Sequence, residues 1–420
     1  MATTEEAKNA PQADSRNDGA LLSDVRVLEL GNFIAAPFAT RLLADFGAEV
    51  IKVETPGTGD ELRTWRRQRG KVSMMFRTLA RNKRSVTVDL RTEEGQEIVR
   101  DLVAKSDVVI ENFRPGTLEN WHLGEDDLKA VNSDIIMVRI SGYGQTGPYR
   151  DRAGFGGVAE AFAGLRHVTG HADRAPVRPA APIGDAMAGL YGALGAVIQL
   201  FALKNGHRVE QARVVDVALY EAVYSAMESL IPDYDAYGMV RERSGANLPG
   251  VVPSGSYPTA DGQSVMIAGN AAKPFRALMQ LCGRPDLADD ATLADGHIRS
   301  QRETELDDIV RNWTLHRTVS EAVDELAAAG VPAGPVYDAT GIAADEHFAA
   351  RGMLESIDVS IEDDTTEAIR FPGVVPRIPG SEGHIRWVGP ELGEHTESIL
   401  TGVLGVSAED YSDLKRKGVV

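Results

Sequence analysis

Apolar and polar positions follow two alternating periods over the first 140 residues. Short apolar runs at residues 26–30, 49–53, 86–90, 107–110 and 135–140 have the length and β-branched content of buried strands. Between them, residues 37–46 and 93–105 carry apolar side chains at helical spacing, the first run stopped by Gly47. Strand, helix and strand in succession make a βαβ unit, whose strands run parallel with a right-handed crossover. The pattern predicts an α/β fold built on a parallel sheet.

The longest apolar stretch, residues 181–203, is made largely of small residues and reads as one long buried helix. Asp185, just after Pro182 and Gly184, is expected at or next to its N-cap. Residues 214–230 read as a second helix-like stretch. From Ile231 the character of the chain changes. A loop rich in Gly, Pro and Ser at 248–258, a strand at 264–268 and helices up to about Ala329 predict a smaller domain over 231–330. Residues 20–230 and a return segment, 331–420, form the large domain, with 330–336 as linker. The polar residues 1–19 read as a disordered tail.

Composition narrows the function. The net charge of -18, from 44 Lys and Arg against 62 Asp and Glu, excludes a general nucleic-acid binder, so any anionic ligand must find a local basic cluster. Arg63, Arg66, Arg67 and Arg69, and the run Arg81-Asn82-Lys83-Arg84, are such clusters. The single cysteine, Cys282, rules out an intrachain disulfide, and no Cys and His grouping has metal-ligand spacing, so a cytoplasmic, metal-free protein is expected. Glycines and Gln199 interrupt the long apolar run, which reads as a core helix rather than a membrane span.

A Rossmann-like domain that binds dinucleotides would share the layout, but its first turn should read G-x-G-x-x-G. Here the turn is Gly31-Asn32-Phe33-Ile34-Ala35-Ala36-Pro37. A P-loop, an H-E-x-x-H helix and a G-x-S-x-G elbow are also absent. Ligands of open α/β sheets bind beyond the carboxyl ends of strands. Two such ends are chemically distinctive, Glu111-Asn112-Phe113-Arg114-Pro115-Gly116 and Ser141-Gly142-Tyr143-Gly144-Gln145-Thr146-Gly147-Pro148. Two jobs are open to Asp185: capping the helix, or acting as a nucleophile, since a carboxylate is ionised at neutral pH and needs no base. His395, beside a helix start, is either a base or a capping group.

These segments, with Val27-Leu28-Glu29-Leu30, Gly47-Ala48-Glu49-Val50-Ile51-Lys52-Val53-Glu54, Asn82-Lys83-Arg84-Ser85, Gly184-Asp185, Tyr257-Pro258-Thr259-Ala260-Asp261-Gly262 and Gly330-Val331-Pro332-Ala333-Gly334-Pro335-Val336, occur in an order and spacing that resembles the class III coenzyme A transferases. The resemblance implies a large Rossmann-like domain with a smaller α/β domain, in an interlocked homodimer. It implies no permanently bound cofactor, with a CoA thioester as substrate and small carboxylic acids as partners. Asp185 takes the place of the family's nucleophile, which forms an anhydride and then an aspartyl-CoA thioester, with backbone N–H groups at the helix head as oxyanion donors. Asn112 and Phe113 would hold the adenine and ribose, Lys83 the phosphate, Phe33, Ile34 and Ala35 the region of the thioester, and Tyr143 would line the site.

Ile34, Asn120 and the segment Pro253-Ser254-Gly255-Ser256 depart from the formyl-CoA transferase. Residues 228–238 and 241–245 are more similar to members that use succinyl-CoA-type donors and small dicarboxylic acceptors, with Arg241, Arg243, Ser254 or Ser256 to bind the second carboxylate. Three rivals remain. In an α-methylacyl-CoA racemase a histidine would stand where this chain has Phe155. A non-catalytic acyl-CoA-binding protein would use Asp185 only as a cap. A nicotinamide-dependent oxidoreductase would need the missing glycine fingerprint.

Overall fold

The computed structural model describes residues 19–69, 72–207, 213–248, 250–362, 365–381 and 383–420. The tail expected at the N-terminus falls, up to residue 18, outside them. The chain divides into two units: Met1–Leu165, Pro179–Glu228 and Ala349–Val420 form the first, Arg166–Arg178 and Ser229–Phe348 the second.

In the first unit β1 (Arg26–Glu29), α1 (Ala35–Asp45), β2 (Glu49–Glu54), β3 (Lys83–Thr87), α2 (Glu93–Val103), β4 (Val108–Glu111) and β5 (Ile136–Ser141) realise the predicted alternation. They are followed by α3 (Gly156–Phe162), α4 (Ile183–Lys204), β6 (Val214–Ala218) and α5 (Leu219–Tyr224). The six strands form one parallel sheet in the order β3-β2-β1-β4-β5-β6. Both faces are covered, which is why neighbouring residues of β1 and β4, Val27-Leu28 and Val108-Val109-Ile110, are all apolar. Val27, Ile110 and Val138 pack with α1 and α4 on one face. Leu28, Val109 and Met137 pack with α2 and the C-terminal Ile399, Leu400 and Val419 on the other.

Three sequence expectations are corrected here. The third strand starts at Lys83, not Val86, because its charged residues point into the sheet's own ion pairs rather than into solvent. Residues 214–218 are a strand, not part of a helix: β6 is the edge of the sheet, and its partly exposed apolar residues lack strand alternation. The helix containing Asp185 is not buried all round. Its small face, Gly184, Ala188, Gly189, Gly192, Ala193 and Ala196, is buried, whereas Leu190, Ile198 and Phe201 are 56%, 56% and 70% exposed. A Cβ on Gly189 would meet the Ala35 carbonyl at 2.6 Å, so glycine is what lets α4 lie against the first turn. Among the described residues α4 is the one helix long and apolar enough to cross a membrane.

Across β1, β2 and the start of β3 lies a buried charge network. Glu29 accepts from the Lys52 and Lys83 ammoniums, each at 2.7 Å, and both lysines are almost wholly buried. Burial by itself would push the Glu29 carboxyl up, but the two ammoniums overcome it and hold it at about 2. Burial likewise draws Lys83 down to about 8. A carboxylate whose folded pKa lies below its unfolded one contributes stability that is complete above the unfolded value and lost as pH falls through the folded one. From the ordinary 4.5 to about 2, Glu29 should account for about 3 kcal/mol lost on acidification. Urea unfolding followed from above pH 5 to below the folded value of about 2 should show that loss; a flat profile would contradict it.

The second unit contains β7 (Ser254–Pro258), β8 (Ser264–Ala268) and β9 (Ala333–Pro335) in an antiparallel sheet of order β9-β8-β7. Its helices include Ala272–Leu281, Glu303–Thr314 and Val319–Ala328, packed around Tyr257, Phe275, Leu306 and Leu326. Part of the expected 248–258 loop is therefore strand, and the expected linker at 330–336 supplies an edge strand instead. The unit runs on to Phe348 because that strand's partner, β8, belongs to it. Back in the first unit, the hairpin of β10 (Leu354–Glu362) and β11 (Thr365–Pro372) was not foreseen, although Ile357, Val359 and Ile361 alternate with Asp358, Ser360 and Glu362 along the chain.

Candidate active site

The sheet reverses its winding direction between β1 and β4, and the turns that leave these strands face each other there. This is where open α/β sheets bind ligands. The two turns are tied by one side chain. Asn112 accepts the Asn32 N–H at 2.9 Å and donates to the Asn32 carbonyl at 2.8 Å, so its amide is engaged by backbone.

The first turn adopts an uncommon backbone at Phe33, with φ of 61°. Asp60 holds it there: its Oδ1 accepts the Phe33 N–H at 3.0 Å, and its Oδ2 lies 2.8 Å from the Lys52 ammonium. Lys52 also donates to the Gly31 carbonyl at 2.9 Å. The buried network thus grips the turn on both sides of Asn32. In the second turn the Phe113 N–H donates to Glu111 at 2.7 Å, and the ring stands edge-on to Trp121. Burial pushes the Glu111 carboxyl up to about 7, against the pull of the adjacent Arg139 guanidinium.

Between the turns is a cavity of about 190 Å³. Phe33, Ile34 and Ala35 line it from the first turn, and Asn112, Phe113 and Arg114 from the second. Asp185 enters from the first turn of α4, with Arg152, Phe155 and the end of β5 completing the wall. The helix begins at Ile183, so Asp185 lies inside its first turn; the N-cap is Pro182, with no side-chain cap. Asp185 is therefore not the N-cap residue that the sequence position suggested. A carboxylate at a helix N-terminus is favoured in its ionised form by the backbone dipoles. Gly156 makes room for it: a Cβ there would stand 2.1 Å from Asp185 Oδ2.

Six of the eight residues expected in the site, Asp185, Phe33, Ile34, Ala35, Asn112 and Phe113, share this cavity. Lys83 does not reach it. Its ammonium is fully buried between Glu29 and the Pro37 carbonyl, so the phosphate role expected for it is corrected. Arg63, Arg81 and Arg84 of the basic runs are likewise paired, with Glu54, Asp45 and Glu49. Tyr143 does not line the cavity; its ring packs against Tyr149, Phe162 and Tyr220.

The oxyanion donors expected at the helix head are also corrected. The N–H groups of Ile183, Gly184 and Ala186 go to the Ala181 carbonyl, the buried Glu160 and the Pro182 carbonyl. His395 is the N-cap residue of the helix Thr396–Gly402, outside the cavity wall. Arg241 and Arg243, in the second unit, bind Asp233 and the His167 and His171 carbonyls. Arg114 and Arg152 were missed. Arg114 sat in a motif read for its aromatic residue, and Arg152 has no motif at all.

A carboxylate at this switch point is the arrangement the sequence motifs implied, and similarity to known proteins decides the family. The CoA-transferase family III profile matches residues 22–396. The chain belongs to that family. It is 48% identical over 400 residues to the succinyl-CoA:D-citramalate CoA-transferase of Chloroflexus aurantiacus, covering 95% of this chain and 98% of the relative. It is 33% identical over 411 residues to the human succinyl-CoA:glutarate CoA-transferase, covering 98% and 92%. A crystal structure of a CaiB/BaiF family protein from Brucella suis superposes with a TM-score of 0.79 at 32% identity, covering 92% of this chain and all of the other. The chain is therefore a CoA-transferase, acting on CoA thioesters.

Proposed function

We propose that this CoA-transferase moves coenzyme A from succinyl-CoA to a small dicarboxylic acid through covalent intermediates on Asp185. The observation that carries the reading is a half-buried carboxylate in the first turn of α4, in the wall of the switch-point cavity. The chemistry follows from that group. Asp185 attacks the donor thioester carbonyl, the C–S bond breaks, and the CoA thiolate leaves an anhydride between the acyl group and Asp185. The thiolate attacks the aspartyl carbonyl, releasing the donor acid as a carboxylate. The acceptor carboxylate attacks the resulting thioester, forming a second anhydride and freeing the thiolate. Attack of that thiolate on the acceptor carbonyl gives the product and restores Asp185. No step needs a proton, so the site needs no acid or base. Splitting one exchange into several acyl transfers is the gain of covalent catalysis.

The dicarboxylate part rests on the relatives' substrates, D-citramalate and glutarate beside succinyl-CoA. A panel of acids offered with succinyl-CoA should yield CoA esters of four- or five-carbon dicarboxylates such as malate, mesaconate, citramalate or glutarate. Transfer to monocarboxylates or carnitine-like acids and to no dicarboxylate would overturn it. The racemase reading loses support at Phe155, which lines the cavity beside Asp185 and cannot carry a proton.

An interlocked homodimer, acting in the cytoplasm, completes the proposal. The chain passes between its two units four times, after Leu165, Arg178, Glu228 and Phe348. The exposed Leu190, Leu194, Ile198 and Phe201 of α4 form an apolar stripe that a second copy would cover. Sedimentation at nanomolar concentration should show a dimer that separates only on unfolding; a folded monomer would refute it.

A further inference from the structure

Two arginines line the cavity that holds Asp185, and they are held differently. Arg114 donates one guanidinium N–H to the Asp151 carbonyl at 2.7 Å. Arg152 is held without spending any: its guanidinium carbon lies 3.5 Å from the centroid of the Tyr149 ring, and among the described residues no carboxylate or carbonyl takes its side-chain N–H groups. Stacking of this kind fixes the guanidinium plane and leaves its fork of donors open. The platform is itself braced, since Tyr149 stands edge-on to Tyr143 at 5.9 Å and packs on Phe162 at 6.1 Å. Its situation differs from that of other arginines in this acidic chain, such as Arg63, Arg81 and Arg139, which are paired with carboxylates.

We infer that Arg152 is a specificity-determining residue, receiving the distal carboxylate of a dicarboxylic acyl group whose other end reacts at Asp185. The inference rests on the covalent reading of Asp185 and on a dicarboxylic substrate. A planar fork is the donor that matches a carboxylate bidentately. CoA also carries anions, but its long pantetheine arm keeps the phosphates far from the thioester carbon. Arg152 and Asp185 line the same cavity, and a short dicarboxylic acyl group lying between them would engage both.

The test is isotope exchange with each donor paired to its own acid: succinyl-CoA with labelled succinate, and butyryl-CoA with labelled butyrate. The two acyl groups have the same carbon count, and only one has a distal carboxylate. Arg152→Gln should lower kcat/KM for the succinyl exchange about 100-fold, the scale of a lost charge-assisted hydrogen bond, and leave the butyryl exchange within about threefold. Arg152→Lys, which keeps the charge without the fork, should lose about tenfold on the succinyl pair. Equal losses on both pairs would overturn the inference and assign Arg152 to CoA itself or to the fold. No loss on either would overturn it as well. The underlying dicarboxylate reading fails separately, and visibly, if the unsubstituted enzyme exchanges butyrate as fast as succinate.

Discussion

Replacing Asp185 by Asn is expected to abolish CoA transfer, by at least about 10⁴-fold in kcat, the scale on which enzymes lose a covalent nucleophile. The amide has the carboxylate's shape, so it fits the space that Gly156 leaves against it. An amide is a poor nucleophile toward a thioester, and among the described residues the wall holds no second carboxylate to replace it. Folding should barely change. Asp185 is not the N-cap residue, and the dipole interaction lost with its charge is worth about 0.3–1 kcal/mol. Steady-state transfer assays, urea unfolding and intact mass after brief exposure to succinyl-CoA check all of this together. The unsubstituted protein should gain the mass of a trapped acyl or CoA adduct, and the Asn variant should not. Substantial turnover by that variant would sink the covalent route.

The second large effect is expected far from the reacting atoms. Lys52→Met should cost about 3–5 kcal/mol of stability, because removing one member of a buried ion pair leaves its partners uncompensated. Lys52 touches Glu29 at 2.7 Å and Asp60 at 2.8 Å, both almost fully buried, so two carboxylates lose a counter-charge at once. The same ammonium holds the Gly31 carbonyl, and through Asp60 it fixes the Phe33 N–H in its positive-φ turn. Protein that folds at low temperature should therefore bind acyl-CoA less well. The denaturation midpoint reports the first effect and KM for succinyl-CoA the second. A variant that is near neutral in stability would show that the network is not an obligate charge balance. A large stability loss with an unchanged KM would separate the network from the turn.

The alternation of β1 to β5 with α1 and α2 was legible because a parallel sheet buried on both faces writes itself as apolar runs of strand length. Local patterning failed where burial did not follow composition. Lys83, Arg84 and Ser85 look like a solvated turn, yet they open β3 because Glu29, Glu49 and Glu54 wait for them on other strands. Residues 214–218 are equally misleading: as an edge strand of partly exposed apolar residues, β6 shows no alternation. Within the site, Asp185 and the two strand-end turns stood out as motifs. Arg152 did not, since nothing near it in the chain tells that Tyr149 will hold its guanidinium.

The sequence by itself determined the α/β class and the family, and singled out Asp185, because each is carried by residues close together along the chain: apolar runs, glycine-bounded turns, a Gly-Asp pair. Tertiary structure alone decided which charges are spent and which are free. Lys83 and Arg152 are both cations in polar segments, and their roles diverge through residues distant along the chain or through the shape of a loop. Glu29, 54 positions away, neutralises the first inside the sheet. The second is stacked on a ring three positions back, beside a cavity assembled from separate strand ends and helix starts. The energy of a charge is set by the groups within a few ångströms of it and by the water it has lost, and both are properties of the folded chain.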